Sequence, residues 1–234
     1  SGDVLLDGKS TAQMLRENNK AFRKRVQIVF QNPFDTFTPR DTIEKILMRP
    51  LKNYNIGASD EERLKMCRDA LESGGLHPAE EIPKRYPHEL SGGQLQRISI
   101  IRSMFFKPDL IIADEPVSML DVSVRADIIN MLLDLAKKNN TAVIFISHDI
   151  ALTRYISDHV AVMYLGRVVE YGETDDVIAH PFHPYTRVLI SHCADVDPDQ
   201  VRSGLPIEGE PPTPINPGPG CYFEPRCFKA CPGC

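Results

Sequence analysis

The sequence predicts an α/β fold built on a mostly parallel sheet, followed by a proline-rich, cysteine-rich tail. Three observations carry that expectation. Leu110 to Ala113 and Thr141 to Ile146 are short, continuously apolar runs of the kind found in strands buried in a parallel sheet. Helical patterns alternate with them: Leu95, Ile98, Ile101 and Phe105 share one side before the first run, and Val124, Ile128, Leu132 and Leu135 share one stripe before the second. Asp114, Glu115 and His148 then fall at or just beyond the carboxyl ends of these strands, where open α/β sheets bind ligands.

Composition narrows the function classes. At 234 residues, with 42% hydrophobic and 25% charged residues, the chain can bury a full core and amounts to one domain plus an appendage. A formal charge of −5 supplies no basic field for nucleic acid. No apolar run approaches the roughly 20 residues that span a bilayer, and no cationic-then-apolar segment opens the chain, so membrane association is expected to come through a protein partner.

In order, Val4-Leu5-Leu6 reads as a strand entering an Asp7-Gly8 turn. Gly8-Lys9-Ser10 imitates the end of a phosphate-binding loop, but G-x-x-x-x-G-K-[ST] requires a glycine where Asp3 stands, so a hairpin turn is expected. Asn19 to Arg25 is a basic helix end, and Val26 to Phe30 a strand that delivers Gln31. Asn32-Pro33-Phe34 and Thr38-Pro39-Arg40 bracket the next loop with turn signals, and its apolar Phe34 and Phe37 read either as docking contacts or as core. Thr42 to Leu51 and Ser59 to Ser73 follow helical patterns. The second is capped by Ser59, is acidic in its first turn and is stopped by Gly74-Gly75, with Cys67 as a small core residue.

The stretch from Tyr86 to Asp121 organises the rest. Ser91 is a good N-cap, and Gly92 and Gly93 let backbone N–H groups approach a ligand, so this helix start can hold a phosphate; in isolation it also reads as an ordinary glycine turn. Lys107-Pro108-Asp109 stops the helix. At the end of the following strand, Asp114 suits Mg²⁺ and Glu115 suits an attacking water. Asp121 is expected to cap a helix ending at Asn139-Asn140. Leu165-Gly166 is a two-residue hairpin between Val160–Tyr164 and Arg167–Tyr171, and short helices follow Thr174 and His183. His180, His183 and His192 lack a convincing ligand spacing and read as structural or exposed.

After Cys193 the composition shifts. Residues 194–220 hold Pro211-Pro212-Thr213-Pro214 and Pro217-Gly218-Pro219-Gly220 and read as a stiff connector. Residues 221–234 hold Cys221, Cys227, Cys231 and Cys234, which suit a tetrahedral zinc or an iron–sulfur cluster, with idle thiols as the alternative.

Leu90-Ser91-Gly92-Gly93-Gln94 resembles the signature motif of ATP-binding cassette (ABC) ATPases. Leu110 to Glu115 resembles their Walker B strand and Ser118-Met119-Leu120-Asp121 their D-loop. Ile146-Ser147-His148-Asp149 resembles their switch histidine, and Val29-Phe30-Gln31-Asn32-Pro33 their Q-loop. Tyr86-Pro87-His88-Glu89, the stretch Met163 to Gly172, His183-Pro184-Tyr185-Thr186-Arg187 and Gly220 to Cys227 are similar to the ATPases of dipeptide and oligopeptide importers. The resemblance implies an ABC-type nucleotide-binding fold over 1–193 with a helical subdomain at about 40–105. It implies ATP and Mg²⁺ bound through Ser91, Gly92, Gly93, Gln94, Asp114 and Asp121, and catalytic roles for Glu115, His148 and Gln31. It also implies a [4Fe–4S] cluster, or Zn²⁺, on the tail cysteines. The implied partners are a second ABC ATPase subunit, two transmembrane permease subunits and, indirectly, an extracytoplasmic substrate-binding protein, with the chain peripheral at the cytoplasmic face of the membrane. In that family the chain looks as though it begins just downstream of the Walker A motif, so as written it is expected to bind ATP poorly and not to turn it over. A soluble ABC ATPase without a transport role, or a non-catalytic ABC-like binding module, is the alternative.

Overall fold

The structure, a computed structural model, describes residues 2–192, 205, 207, 209–210 and 220–234. The described chain falls into two units, Ser1–Ile146 and Ser147–Cys234.

The first unit opens with a two-stranded antiparallel hairpin, β1 (Leu5–Leu6) and β2 (Lys9–Ser10), turned at Asp7 and Gly8 with φ of 51° and 74°. Gly8-Lys9-Ser10 therefore forms a hairpin, as the mismatch at Asp3 implies; the Asp3 carboxylate accepts from Ser10 Oγ at 2.9 Å. Helix α1 (Thr11–Arg25) is kinked at Asn18, whose side chain accepts from the Ala21 N–H and restarts the helix. Arg25 closes the entry to the sheet by pairing with Asp7 and Asp109.

Three parallel strands follow: β3 (Val26–Val29), β4 (Leu110–Asp114) and β5 (Ala142–Ile146), in the order β3-β4-β5. Ile28, Ile112 and Ile144 lie in one row, and Val29, Ala113 and Phe145 in the next. Because side chains alternate along a strand, Val29, Ile111 and Ala113 share a face and are buried, while Ile28 and Ile144 share the other and are about half exposed. The reading of Thr141 to Ile146 as a buried strand is thus corrected. A continuous apolar run announces a strand that one face of the sheet can bury, and here Ile144 and Ile146 point to the open face.

Between β3 and β4 the chain makes a second, wholly helical core. It contains α2 (Pro33–Thr36), α3 (Ile43–Asn53), α4 (Asp60–Ser73), the 3₁₀ turns Ile82–Lys84 and Pro87–Glu89, and α5 (Gly92–Met104). Ile43, Leu47 and Leu51 of α3, Cys67 and Leu71 of α4, and Leu95, Ile98 and Ile101 of α5 pack in one cluster. Burial pushes the Cys67 thiol up to about 12, helped by the nearby Glu44, so it behaves as a small hydrophobe. Phe34 and Phe37 part ways: Phe37 joins this core beneath Arg102, and Phe34 is half exposed. Helix α6 (Val122–Asn139) buries Ile128, Ile129, Met131, Leu132 and Ala136 and ends at a left-handed Asn140.

The second unit has α7 (Ile150–Ile156) and an antiparallel pair, β6 (His159–Tyr164) and β7 (Arg167–Glu173). Leu165 and Gly166, both at positive φ, turn the pair as the two-residue hairpin requires. Helices α8 (Thr174–Ala179) and α9 (Pro184–Ser191) follow. Phe223 of the tail is fully buried against Tyr164, Tyr185 and His183, with ring centroids at 5.3, 5.3 and 6.0 Å. Arg167 stacks on Tyr222 at 3.8 Å. Most of the expected connector, and Cys193, lie outside the described residues.

Candidate functional site

The parallel sheet delivers the candidate residues at one end. Strand β3 ends one residue before Phe30 and two before Gln31; β4 ends at Asp114, an exposed carboxylate paired in register with Ile146. Glu115 follows with φ of 44°, a left-handed conformation that disfavours any side chain, and its N–H donates to the Ile146 carbonyl at 3.0 Å. Non-glycine residues in such conformations persist where surrounding structure forces them, and they gather at functional sites.

Gln31 and Glu115 are brought together across 84 residues of sequence. Gln31 Nε2 donates to Glu115 Oε2 at 3.0 Å and to Ser118 Oγ at 3.1 Å, and the Ser118 hydroxyl donates to the Glu115 carbonyl at 3.0 Å. An amide thus fixes one oxygen of a carboxylate at a strand end, leaving that group acceptor-rich beside a second carboxylate, Asp114. Such a pair suits a Mg²⁺ ion, which binds through one or two carboxylates plus phosphates and water, and a water held for attack.

Helix α5 begins as the sequence predicts. Ser91 Oγ accepts from the Gln94 N–H at 3.3 Å, and Gln94 Oε1 accepts from the Ser91 N–H at 3.0 Å, a reciprocal capping box. Gly92 and Gly93 sit where helices converge. A Cβ on Gly92 would lie 3.4 Å from Leu120 Cδ2 and 3.8 Å from Phe34 Cε2, and one on Gly93 only 2.9 Å from Val124 Cγ1. The glycines therefore let α5 approach the first turn of α6 closely, besides leaving backbone donors uncovered at the helix start.

Asp121 occupies the N-cap position of α6, but its side chain makes no capping hydrogen bond and is exposed. The expectation that it caps the helix holds for position and not for bonding. His148 lies two residues beyond β5 and opens the second unit; Asp149 caps α7 by accepting from the Leu152 N–H at 3.0 Å. His88, within the 3₁₀ turn, stacks on Tyr86 at 5.6 Å.

Two residues of this site were not reached from sequence. In the sequence Ser118 is only the first residue of a loop motif. Gln96, fully buried on α5, donates from Nε2 to the Phe30 carbonyl at 3.2 Å; the only signal in the sequence is an amide between Leu95 and Ile98.

A family model described as ABC transporter matches residues 1–118. The chain belongs to the ABC transporter family. A second model, the C-terminal region of oligopeptide/dipeptide transporters, matches residues 169–234. Among ABC relatives, a probable peptide ABC transporter ATP-binding protein, y4tS, of Sinorhizobium fredii is 46% identical over the whole chain and 65% of its own length. The dipeptide transport ATP-binding protein DppF of Haemophilus influenzae is 43% identical over the whole chain and 70% of its own length. The chain thus spans about two thirds of the length of these relatives. Two solved ABC structures share the fold. CbiO1 of Clostridium perfringens, part of an ABC transporter complex, has a TM-score of 0.64 and 26% identity over 77% of this chain and 69% of its own. The ATP-binding cassette MJ0796 bound to ADP and Pi has a TM-score of 0.63 and 27% identity over 74% of each chain.

The sequence also expects a metal on the tail cysteines. Among the described residues no group of three or more His, Cys, Asp or Glu side chains is gathered to hold a metal ion. Cys231 and Cys234 approach to 3.2 Å between sulfurs, whereas Cys221 Sγ faces His183 Nε2 at 3.7 Å. Cys221 and Cys227 pack against the Phe223 cluster, while Cys231 and Cys234 are exposed. A [4Fe–4S] cluster or a tetrahedral zinc takes four donors on one centre, and among the described residues Cys221, Cys227, Cys231 and Cys234 are not gathered as such a set. Phe223 is buried between the first two in sequence, yet the two ends of the tail meet, because the Cys221 N–H donates to the Cys234 carbonyl at 2.8 Å.

Proposed function

We propose that the chain is the ATP-binding and ATP-hydrolysing part of an ABC importer of the dipeptide/oligopeptide class. The observation that carries the reading is the hydrogen-bonded set Gln31, Glu115 and Ser118 at the carboxyl end of β4, beside Asp114. The names of the relatives and the match of the tail to oligopeptide/dipeptide transporters support the peptide class.

In this reading Glu115 accepts the proton of, or orients, the water that attacks the γ-phosphate, and Gln31 holds the carboxylate in place through its amide. Asp114 meets Mg²⁺. His148 donates to the phosphate. Ser91, Gly92, Gly93 and Gln94 present the start of α5 to ATP held by a second ATPase subunit, and Asp121 acts across that interface. Helices between about 40 and 105 form the partner-facing lobe. Two permease subunits carry the peptide, delivered by an extracytoplasmic binding protein, and the chain is peripheral at the cytoplasmic face; no described helix is long and apolar enough to cross a membrane.

The test is Glu115→Gln in the complete subunit assembled with its permeases. Retained ATP binding with hydrolysis reduced a hundredfold or more is expected; hydrolysis at the unmodified rate overturns the role given to Glu115.

A further inference from the structure

Gln96 is an amide in an apolar place. It is fully buried on α5 between Leu95 and Ile98, and its Oε1 is buried without a hydrogen-bond partner. An unpaired buried amide oxygen is destabilising, and a methionine of similar volume satisfies the helical pattern without that cost. The compensation is local, because Nε2 donates to the Phe30 carbonyl at 3.2 Å.

That carbonyl belongs to the peptide unit that joins Phe30 to Gln31. Gripping it fixes the plane from which the Gln31 side chain departs, and that side chain reaches both Glu115 and Ser118. The same helix meets the segment again further on: Gly92, in the first turn of α5, faces the Phe34 ring of α2 and Leu120, which a Cβ there would meet at 3.8 and 3.4 Å. Helix α5 thus holds residues 30–34 at both ends. A side chain at position 96 without a donor would keep the core filled and release the first of those grips.

We propose that Gln96 is a positioning residue that couples the glycine-led start of α5 to Glu115. It holds the Phe30 carbonyl, the carbonyl sets the direction of Gln31, and Gln31 sets the rotamer of the Glu115 carboxylate. A displacement of α5 by anything bound at its N-terminus is transmitted along this path without any contact to Glu115 itself. The catalytic consequence rests on the ATPase reading; the coupling of position 96 to residues 30–34 does not.

The experiment is Gln96→Met, read in two ways. In the 234-residue chain, hydrogen–deuterium exchange followed by mass spectrometry is expected to show at least fivefold faster exchange over residues 30–36. Exchange within residues 97–104 should be unchanged, and the unfolding midpoint equal to or above that of the parent. Unchanged exchange over 30–36, or acceleration spread evenly through α5, overturns the proposal. In the complete assembled subunit, kcat should fall about tenfold with KM for ATP within twofold; a full kcat overturns the link to Glu115. A parent subunit with no ATPase activity would remove the ATPase reading, while the exchange result still decides the role of Gln96. Gln96→Leu takes the place of the methionine variant should that fail to fold, with the same expected outcomes.

Discussion

Replacing Gly93 by alanine tests the close approach of α5 to α6. The added Cβ would stand 2.9 Å from Val124 Cγ1 and 3.8 Å from Ile128 Cδ1. Carbon atoms settle at about 3.5–4.0 Å, so the helices must part, or Val124 must move, by roughly 0.5–1 Å. Val124 is β-branched and held to one rotamer in a helix, so it yields poorly. Overpacking of this kind costs about 1–3 kcal/mol, against a gain of about 0.5–1 kcal/mol for removing a glycine from a helix. Gly93→Ala should therefore lose about 1–2 kcal/mol in urea unfolding. Gly92→Ala is the internal control. Its Cβ meets Leu120 and Phe34 at ordinary contact distance, and it should be neutral or slightly stabilising. In the double variant Gly93→Ala with Val124→Ala, the Cγ1 atom is gone and the two changes should couple favourably by about 1 kcal/mol or more. Equal stability of the two alanine variants, or strict additivity of the double variant, refutes the packing argument.

Two further predictions concern the second unit. Phe223→Ala removes a fully buried ring from the Tyr164–Tyr185–His183 box and should cost about 3–5 kcal/mol by thermal or urea unfolding, with faster alkylation of Cys221 as the tail loosens; an unchanged alkylation rate would mean that the ring does not anchor the tail. Burial holds the His183 imidazole below its ordinary pKa, opposed in part by the Glu170 carboxylate, while Nδ1 accepts from the Tyr185 N–H at 3.1 Å and so must stay unprotonated to cap α9. The unfolded chain then binds the proton more readily, so this contribution is complete above the ordinary histidine value of about 6.5 and is lost as pH falls toward and through the lowered folded value. His183→Asn keeps a capping acceptor without titrating, and it should flatten the decline of the melting temperature between pH 7 and 5; an identical slope in both proteins is the contrary result.

The parts of the fold that are legible in the sequence are those written by one local rule. Ser91 followed by Gln94, Ser59 followed by Glu62, and Leu165-Gly166 at positive φ each satisfy backbone geometry by residue type alone, and each stands where the pattern placed it. The parts that failed depend on what lies across space. The apolar run of β5 cannot say which of its faces is covered, so it places Ile144 and Ile146 in a core from which the structure leaves them half exposed. The cysteine spacing alone does not show that Cys221 and Cys227 pack against a buried Phe223, or that Cys221 Sγ faces His183 Nε2 at 3.7 Å. Gln31 and Glu115 were each found by motif, but their hydrogen bond comes from the register of β3 on β4, which pairs Val29 with Ala113 and so sets Gln31 beside Glu115.

That register also explains why Glu115 bears an unfavourable backbone. Strand β4 must end at Asp114 to pair with Ile146, and the chain turns at once so that the Glu115 N–H can meet the Ile146 carbonyl; only a left-handed residue makes that turn. Glycine would do so without strain, whereas in the proposed ATPase reading the position supplies a carboxylate. The strain of a non-glycine residue in this region is about 1–2 kcal/mol. In a helix interior glycine is less stable than alanine by about 0.5–1 kcal/mol. At position 115 the order should reverse: Glu115→Gly and Glu115→Ala both lose the contact to Gln31, so their difference isolates the backbone, and the glycine variant should be the more stable by about 1 kcal/mol. Urea unfolding of the pair measures it directly. An alanine variant equal to or more stable than the glycine variant would show that the turn after β4 carries no strain, and the case for Glu115 would then stand on its side-chain contacts alone.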